Sequence, residues 1–145
     1  MSRALVVLAS DLSPTTKRAL QPVERLASGL AADVVLLHAL RGVPSTAVGL
    51  SAPPLREPRV DAEIARARQA LEELRHQLPL HTTVTVEVTV GEEIASAIAD
   101  FAARRGAAYL VILSHGRRGV RRLFMGSVAE GVLRRATLPV VVVPL

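Results

Sequence analysis

The sequence contains no cysteine and no tryptophan, and its aromatic residues are Phe101, Phe124 and Tyr109. Without cysteine there are no disulfides, no thiol nucleophile and no thiolate metal site. With so few aromatics the core must be built from Val, Leu, Ile and Ala. The stacking platforms that single-stranded nucleic acid needs are missing as well. Lysine is nearly absent: Lys17 is the only one among 18 basic side chains. No P-loop with its lysine and no nucleophile-elbow pattern occurs. No apolar run approaches the length of a membrane span. The chain starts on a strand-like segment, Arg3 to Ala9, with no charged-then-apolar leader, so the expectation is a cytoplasmic protein.

What is present is a hydrophobic chain, 50% apolar and 21% charged over 145 residues. That balance excludes disorder and points to one domain spanning residues 1–145. The net charge of +5 allows acidic ligands or nucleic acid. An arginine-biased composition explains the scarcity of lysine equally well.

Strand and helix signals alternate along the chain. Leu5–Ala9 is an apolar run that stops at Ser10-Asp11-Leu12-Ser13-Pro14. Ser13 followed by Pro14 predicts a helix start, with Ser13 as N-cap. Ala19, Val23, Leu26, Ala27 and Leu30 recur at helical spacing, Gly29 marks the expected end, and Pro22 should kink the helix or weaken its early turns. Val34–Leu40 reads as a second buried strand. Arg41 to Pro58, with its four prolines, reads as an irregular loop. Val60, Ile64, Ala67, Leu71, Leu74 and Leu78 predict an amphipathic helix closed by Pro79. Thr82–Val90 alternates, which predicts a strand with one less-buried face near a sheet edge.

Gly91 then turns into a helix with Glu92 and Glu93 expected in its first turn. Ile94, Ile98, Phe101 and Ala102 form its buried stripe. Tyr109–Leu113 is a fourth strand, Val128–Arg135 a short helix opened by Ser127, and Pro139–Pro144 a fifth strand. Continuous apolar strands separated by helices imply an open five-stranded parallel sheet with helices on both faces. For the order 3-2-1-4-5, ligands bind where the order reverses, between the first and fourth strands. This brings Ala9, Ser10 and Asp11 beside Ser114, His115 and Gly116.

The segment from Leu113 to Ser127 carries the most chemistry. It ends a strand, holds Gly116, Gly119 and Gly126 with Arg117, Arg118, Arg121 and Arg122, and leads into a helix at Ser127. Glycines allow a curled backbone whose amides converge on an anion, and Ser127 would cap the helix while reaching a phosphate oxygen. An ordinary strand-to-helix loop with a serine cap is the plain alternative, and most of the arginines fit a solvated face. Asp11 has a plain role too, as a turn carboxylate ahead of the helix. His38 and His115 are single histidines at strand ends, without partners at metal-ligand spacing.

Ser114-His115-Gly116, nine residues, Gly126-Ser127, a helix and the ending Leu-Pro-Val-Val-Val-Val resemble the universal stress protein family. The opening Val-Val-Leu-Ala-Ser-Asp-Leu-Ser-Pro and the second strand ending Leu-Leu-His-Ala are similar to it as well. The resemblance implies a flavodoxin-like, adenine nucleotide alpha hydrolase-like sheet and a homodimer, expected here through the last strand, Val140–Val143. In one branch it also implies ATP or another adenine nucleotide, with Mg2+ on the phosphates and possible contact to Asp11. Carried onto this sequence, the nucleotide contacts are Ala9, Ser10, Asp11, Ala39, Leu113, Ser114, Gly116, Gly126, Ser127 and Val128. The branch has a glycine where this chain has Leu113. A leucine there either fills ligand space or points into the core, and strand alternation alone does not decide between them.

Two functions follow: a stress-response protein that binds an adenine nucleotide, or a dimeric interaction module of the same fold without a nucleotide. Nucleic-acid binding through the arginines is weaker for want of aromatics. Catalysis beyond slow, incidental ATP hydrolysis is not expected, because no base for water is evident.

Overall fold

The apolar runs assemble as expected around a parallel sheet. A computed structural model of the chain describes residues 2–42, 58–79, 83–114 and 125–144. The elements are β1 (Leu5–Ala9), a 3-10 turn (Pro14–Thr16), α1 (Lys17–Leu30), β2 (Asp33–Arg41), α2 (Pro58–Arg75), β3 (Val84–Gly91), α3 (Ile94–Arg104), β4 (Tyr109–Leu113), α4 (Ser127–Arg135) and β5 (Val140–Val143). The strands form one sheet in the order β3-β2-β1-β4-β5, all neighbours parallel. β3, the alternating strand, lies at an edge. Most of the loop expected between Arg41 and Pro58 lies outside the described residues.

Strand parity divides the core in two. Val6, Leu8, Val34, Leu36, Val111 and Leu113 face α1 and α2, together with Val23 and Leu71. Val7, Val35, Leu37, Leu110 and Ile112 face α3 and α4, together with Ile98 and Val132. Leu8, Leu36, Leu37, Leu71 and Leu110 are almost completely buried. Burying each such side chain contributes about 2 kcal/mol. β1 and β2 bury side chains on both faces, which is why their sequences are continuously apolar rather than alternating.

The helices differ from their sequence signals in several places. Ser13 has the extended backbone of an N-cap but makes no side-chain cap bond; its hydroxyl pairs instead with Thr15 Oγ1 at 2.6 Å. The α-helix proper starts at Lys17. Pro22 sits inside α1 without ending it: the bond it cannot donate would reach the carbonyl of Arg18, in the exposed first turn where water can serve.

Gly29 does not end α1 either. Ala31 takes the left-handed conformation (φ 48°), and the amides of Ala31 and Ala32 fold back onto Ser28 O and Ala27 O at 3.2 and 2.8 Å. Leu30, expected in the buried stripe, is 40% exposed as a result. Glu92 and Glu93 precede α3 rather than filling its first turn; Glu93 is its N-cap residue and pairs with Arg135 at 3.0 Å. α2 stops at Arg75, although Leu78 beyond it remains buried.

α3 and α4 pack closely at Gly131, where a Cβ would meet Ala95 Cβ at 2.6 Å. Neither group can rotate away. Gly131→Ala should therefore lower stability by about 1–3 kcal/mol through overpacking, against a helix-propensity gain of about 1 kcal/mol. Gly29, also helical but with nothing within 4 Å of its Cβ direction, is the control: Gly29→Ala should raise stability by about 0.5 kcal/mol. Urea unfolding of both variants checks the opposite signs.

Candidate functional site

The winding of the sheet reverses between β1 and β4. From β1 the chain crosses to β2 over one face through α1; from β4 it crosses to β5 over the other through α4. The departing segments diverge there, leaving a crevice beyond the strand ends. It holds a cavity of about 230 Å³. β1 and its exit supply Ala9, Ser10 and Asp11, β2 His38 and Ala39, and β4 Ile112 and Leu113. The opening turns of α3 and α4 add Ile94, Ile98, Val128 and Ala129. The walls are mostly apolar, with polar side chains at Ser10, Asp11 and His38. Small-molecule sites commonly run to about 300–1,000 Å³, so this volume suits a flat ring system or one end of a longer ligand.

The corner after β1 is tightly specified. Ser10 is 5% exposed. Its amide donates to Leu37 O at 2.8 Å, and its hydroxyl pairs with Thr16 Oγ1 and accepts from the Leu12 amide, both at 2.9 Å. Leu12 is left-handed (φ 66°), a conformation that costs a non-glycine residue about 1–2 kcal/mol. The Ser13 amide donates to Asp11 Oδ1 at 3.0 Å. Asp11 thus does serve the turn, as its plain role predicted, while also lining the cavity. His38 Nδ1 lies 2.8 Å from Ser10 O.

The end of β4 separates the alternatives for Leu113. Leu113 is buried and packs in the cluster facing α1 and α2, whereas Ile112, Ile98 and Ala129 belong to the cluster on the opposite face. Leu113 touches the cavity, but its side chain is part of the other core. Ser114 does not line the cavity; its amide donates to Val143 O at 3.0 Å, tying β4 to β5.

Gly126, with φ −60° and ψ 159°, is the N-cap of α4, and Ser127 is the first helical residue. This corrects the assignment of Ser127 as the cap. A glycine cap has no side-chain oxygen, so none bonds the first-turn amides. Gly116, His115 and the arginines at 117, 118, 121 and 122 lie outside the described residues.

Ala9, Ser10, Asp11, Ala39, Leu113 and Val128 therefore meet at one cavity, with Gly126 and Ser127 at the helix start beside Val128. Sequence reasoning missed Ile112 and Ala129 as lining, and treated Ile94 and Ile98 only as core and His38 only as a lone histidine. A partial signal existed: Ile94 and Ile98 open a helix directly after Gly91, at the carboxyl edge of the sheet. Among the described residues no group of three or more His, Asp or Glu could hold a metal ion, and no helix is long and apolar enough to cross a membrane.

Several solved structures share this fold over nearly their whole length. The universal stress protein UspA from Lactobacillus plantarum is 20% identical, with 99% of each chain covered and a TM-score of 0.74. The universal stress protein from Archaeoglobus fulgidus in complex with dAMP is 22% identical, with 98% of each chain covered and a TM-score of 0.67. A universal stress protein in complex with cAMP is 20% identical, with 99% of this chain and 98% of that chain covered and a TM-score of 0.64. No curated protein matches the sequence. The description "Universal stress protein family" matches residues 3–144, almost the full length, and the chain belongs to the universal stress protein family.

Proposed function

We propose that this is a cytoplasmic stress-response protein, a single domain that binds ATP or a related adenine nucleotide in the crevice between β1 and β4. The observation that carries this reading is the cavity itself. It is apolar enough for a base, it sits at the reversal of strand order, and it leads to a helix start whose cap offers no side-chain oxygen. Two structural neighbours hold adenine nucleotides, dAMP and cAMP, which favours the same ligand class here. The base would lie among Ile94, Ile98, Ile112 and Val128, beside Ala39. The phosphates would extend toward the amides of Gly126, Ser127 and Val128. Helix N-termini favour phosphate through their unpaired amides and dipole.

The placement of Leu113 supports this reading, because its side chain is committed to the α1/α2-side core. Mg2+ would ride on the phosphates, with Asp11 the carboxylate among the lining residues. The metal would neutralise charge there. The chain's own residues bind and orient the nucleotide rather than turn it over.

Calorimetric titration of the protein with ATP should give saturable binding. Val128→Trp, which pushes an indole into the cavity from a half-exposed position, should weaken it by at least about tenfold at an unchanged melting temperature. A folded wild-type protein giving no heat at millimolar ATP would sink the nucleotide reading in favour of an interaction module.

The second element of the proposal is a homodimer through β5. Val140, Val141 and Val142 are half-exposed, and β5 is hydrogen-bonded to β4 along one side only. An apolar edge strand of this kind invites pairing with a copy of itself. Light scattering at micromolar concentration should return twice the chain mass for the wild type and a single chain mass for Val141→Arg.

A further inference from the structure

We propose that His38 is a positioning residue of the crevice. Its ring holds the corner that carries Asp11, acting through the backbone of Ser10. The inference rests on the nucleotide reading for its ligand but on geometry alone for its mechanism. His38 shares strand parity with Leu36, so it stands on the α1/α2 side at the carboxyl end of β2, half-buried. From there Nδ1 reaches Ser10 O at 2.8 Å.

A carbonyl oxygen can only accept, so the proton between the two atoms is carried by Nδ1. This fixes the neutral ring as the Nδ1–H tautomer, with Nε2 as the unprotonated nitrogen. A doubly protonated ring keeps the same donor. The contact therefore does not depend on which form is present.

The bond completes a two-point clamp. Ser10 donates its amide to Leu37 O and accepts from His38, so consecutive residues of β2 grip one peptide group on each side of Ser10. The clamp extends the β1–β2 ladder past Ala9, the last residue in strand register. Everything beyond it is a turn: Leu12 is left-handed, with its amide on Ser10 Oγ, and the Ser13 amide is on Asp11 Oδ1. A strained turn keeps its shape only where its surroundings over-determine it. Without the His38 donor, the Ser10 carbonyl loses its partner and the peptide leading into Asp11 is held less firmly. The mouth of the cavity then loses its fixed carboxylate.

The pair His38→Leu and His38→Asn isolates the donor. The two replacements have nearly the same shape, and the asparagine amide nitrogen stands close to the position of Nδ1. In His38→Leu, amide hydrogen exchange at Leu12 and Ser13 should quicken by about tenfold, and adenosine, a probe with no phosphate to titrate, should bind about tenfold more weakly. In His38→Asn both quantities should stay within about threefold of wild type. A nitrogen–proton correlation spectrum of the wild type near pH 8, where an ordinary imidazole is neutral, should show the proton on Nδ1.

Leu and Asn variants that behave alike would overturn the proposal, as would a proton on Nε2. If the Leu variant does not fold, the tautomer and the Asn variant decide. If wild type binds no adenosine, the nucleotide reading falls, and exchange at Leu12 and Ser13 then judges His38 by itself.

Discussion

The pairing of β1 with β4 is the contact on which the rest of the molecule depends. Val6, Val7 and Leu8 sit beside Tyr109, Leu110 and Val111 in register, although about a hundred residues separate them in sequence. The chain has wound outward through β2 to β3 before α3 carries it back across the sheet. That return puts α3 and α4 on the face opposite α1 and α2, and so creates both halves of the core. It also creates the crevice, because the segments leaving β1 and β4 must go to opposite faces. Fold and site are consequences of one long-range pairing, and its loop-closure entropy must be repaid by burial in both cores.

Much of this was legible in the sequence, for a simple physical reason. Strands buried on both faces are apolar nearly throughout, and Leu5–Ala9, Val34–Leu40 (His38 excepted) and Tyr109–Leu113 read that way. The alternation of the third strand placed it at the edge, where β3 lies. The helix termini were less legible. Gly29, Ser13 and Glu93 each carry a local propensity, but propensities of under about 1 kcal/mol yield to the tertiary fit. α1 runs past Gly29 to Leu30 and turns at left-handed Ala31, so that the chain re-enters the sheet at Asp33, opposite Leu5.

The site was half legible. Strand order brought Ala9, Ser10 and Asp11 to the end of β4, and the family resemblance added Ala39, Leu113 and Val128, which line the same cavity. What no motif carries is the direction of a side chain at a strand end. Leu113 and Ile112 are adjacent residues with similar chemistry, yet they face opposite cores. Only the parity of the paired strands assigns Ile112 to the cavity's own cluster. The role of His38 was not legible because a lone histidine is judged by the ligands around it in sequence. Its partner here is a backbone carbonyl 28 residues away.

The polar groups on the cavity wall are committed to the corner after β1. Ser10's hydroxyl is engaged by both Thr16 and Leu12, so it is poorly placed to act as a nucleophile. Asp11 Oδ1 receives the Ser13 amide, which fixes its direction. Nδ1 of His38 is bound to a carbonyl. Each polar side chain on the cavity wall therefore helps set the shape of the corner. Ser10 Oγ, Asp11 Oδ1 and His38 Nδ1 are each engaged within the corner rather than aimed into the cavity. Such a corner is preorganised, so a ligand entering it need not order it, and the entropy of ordering does not detract from affinity. That preorganisation favours the ligand-binding reading proposed above.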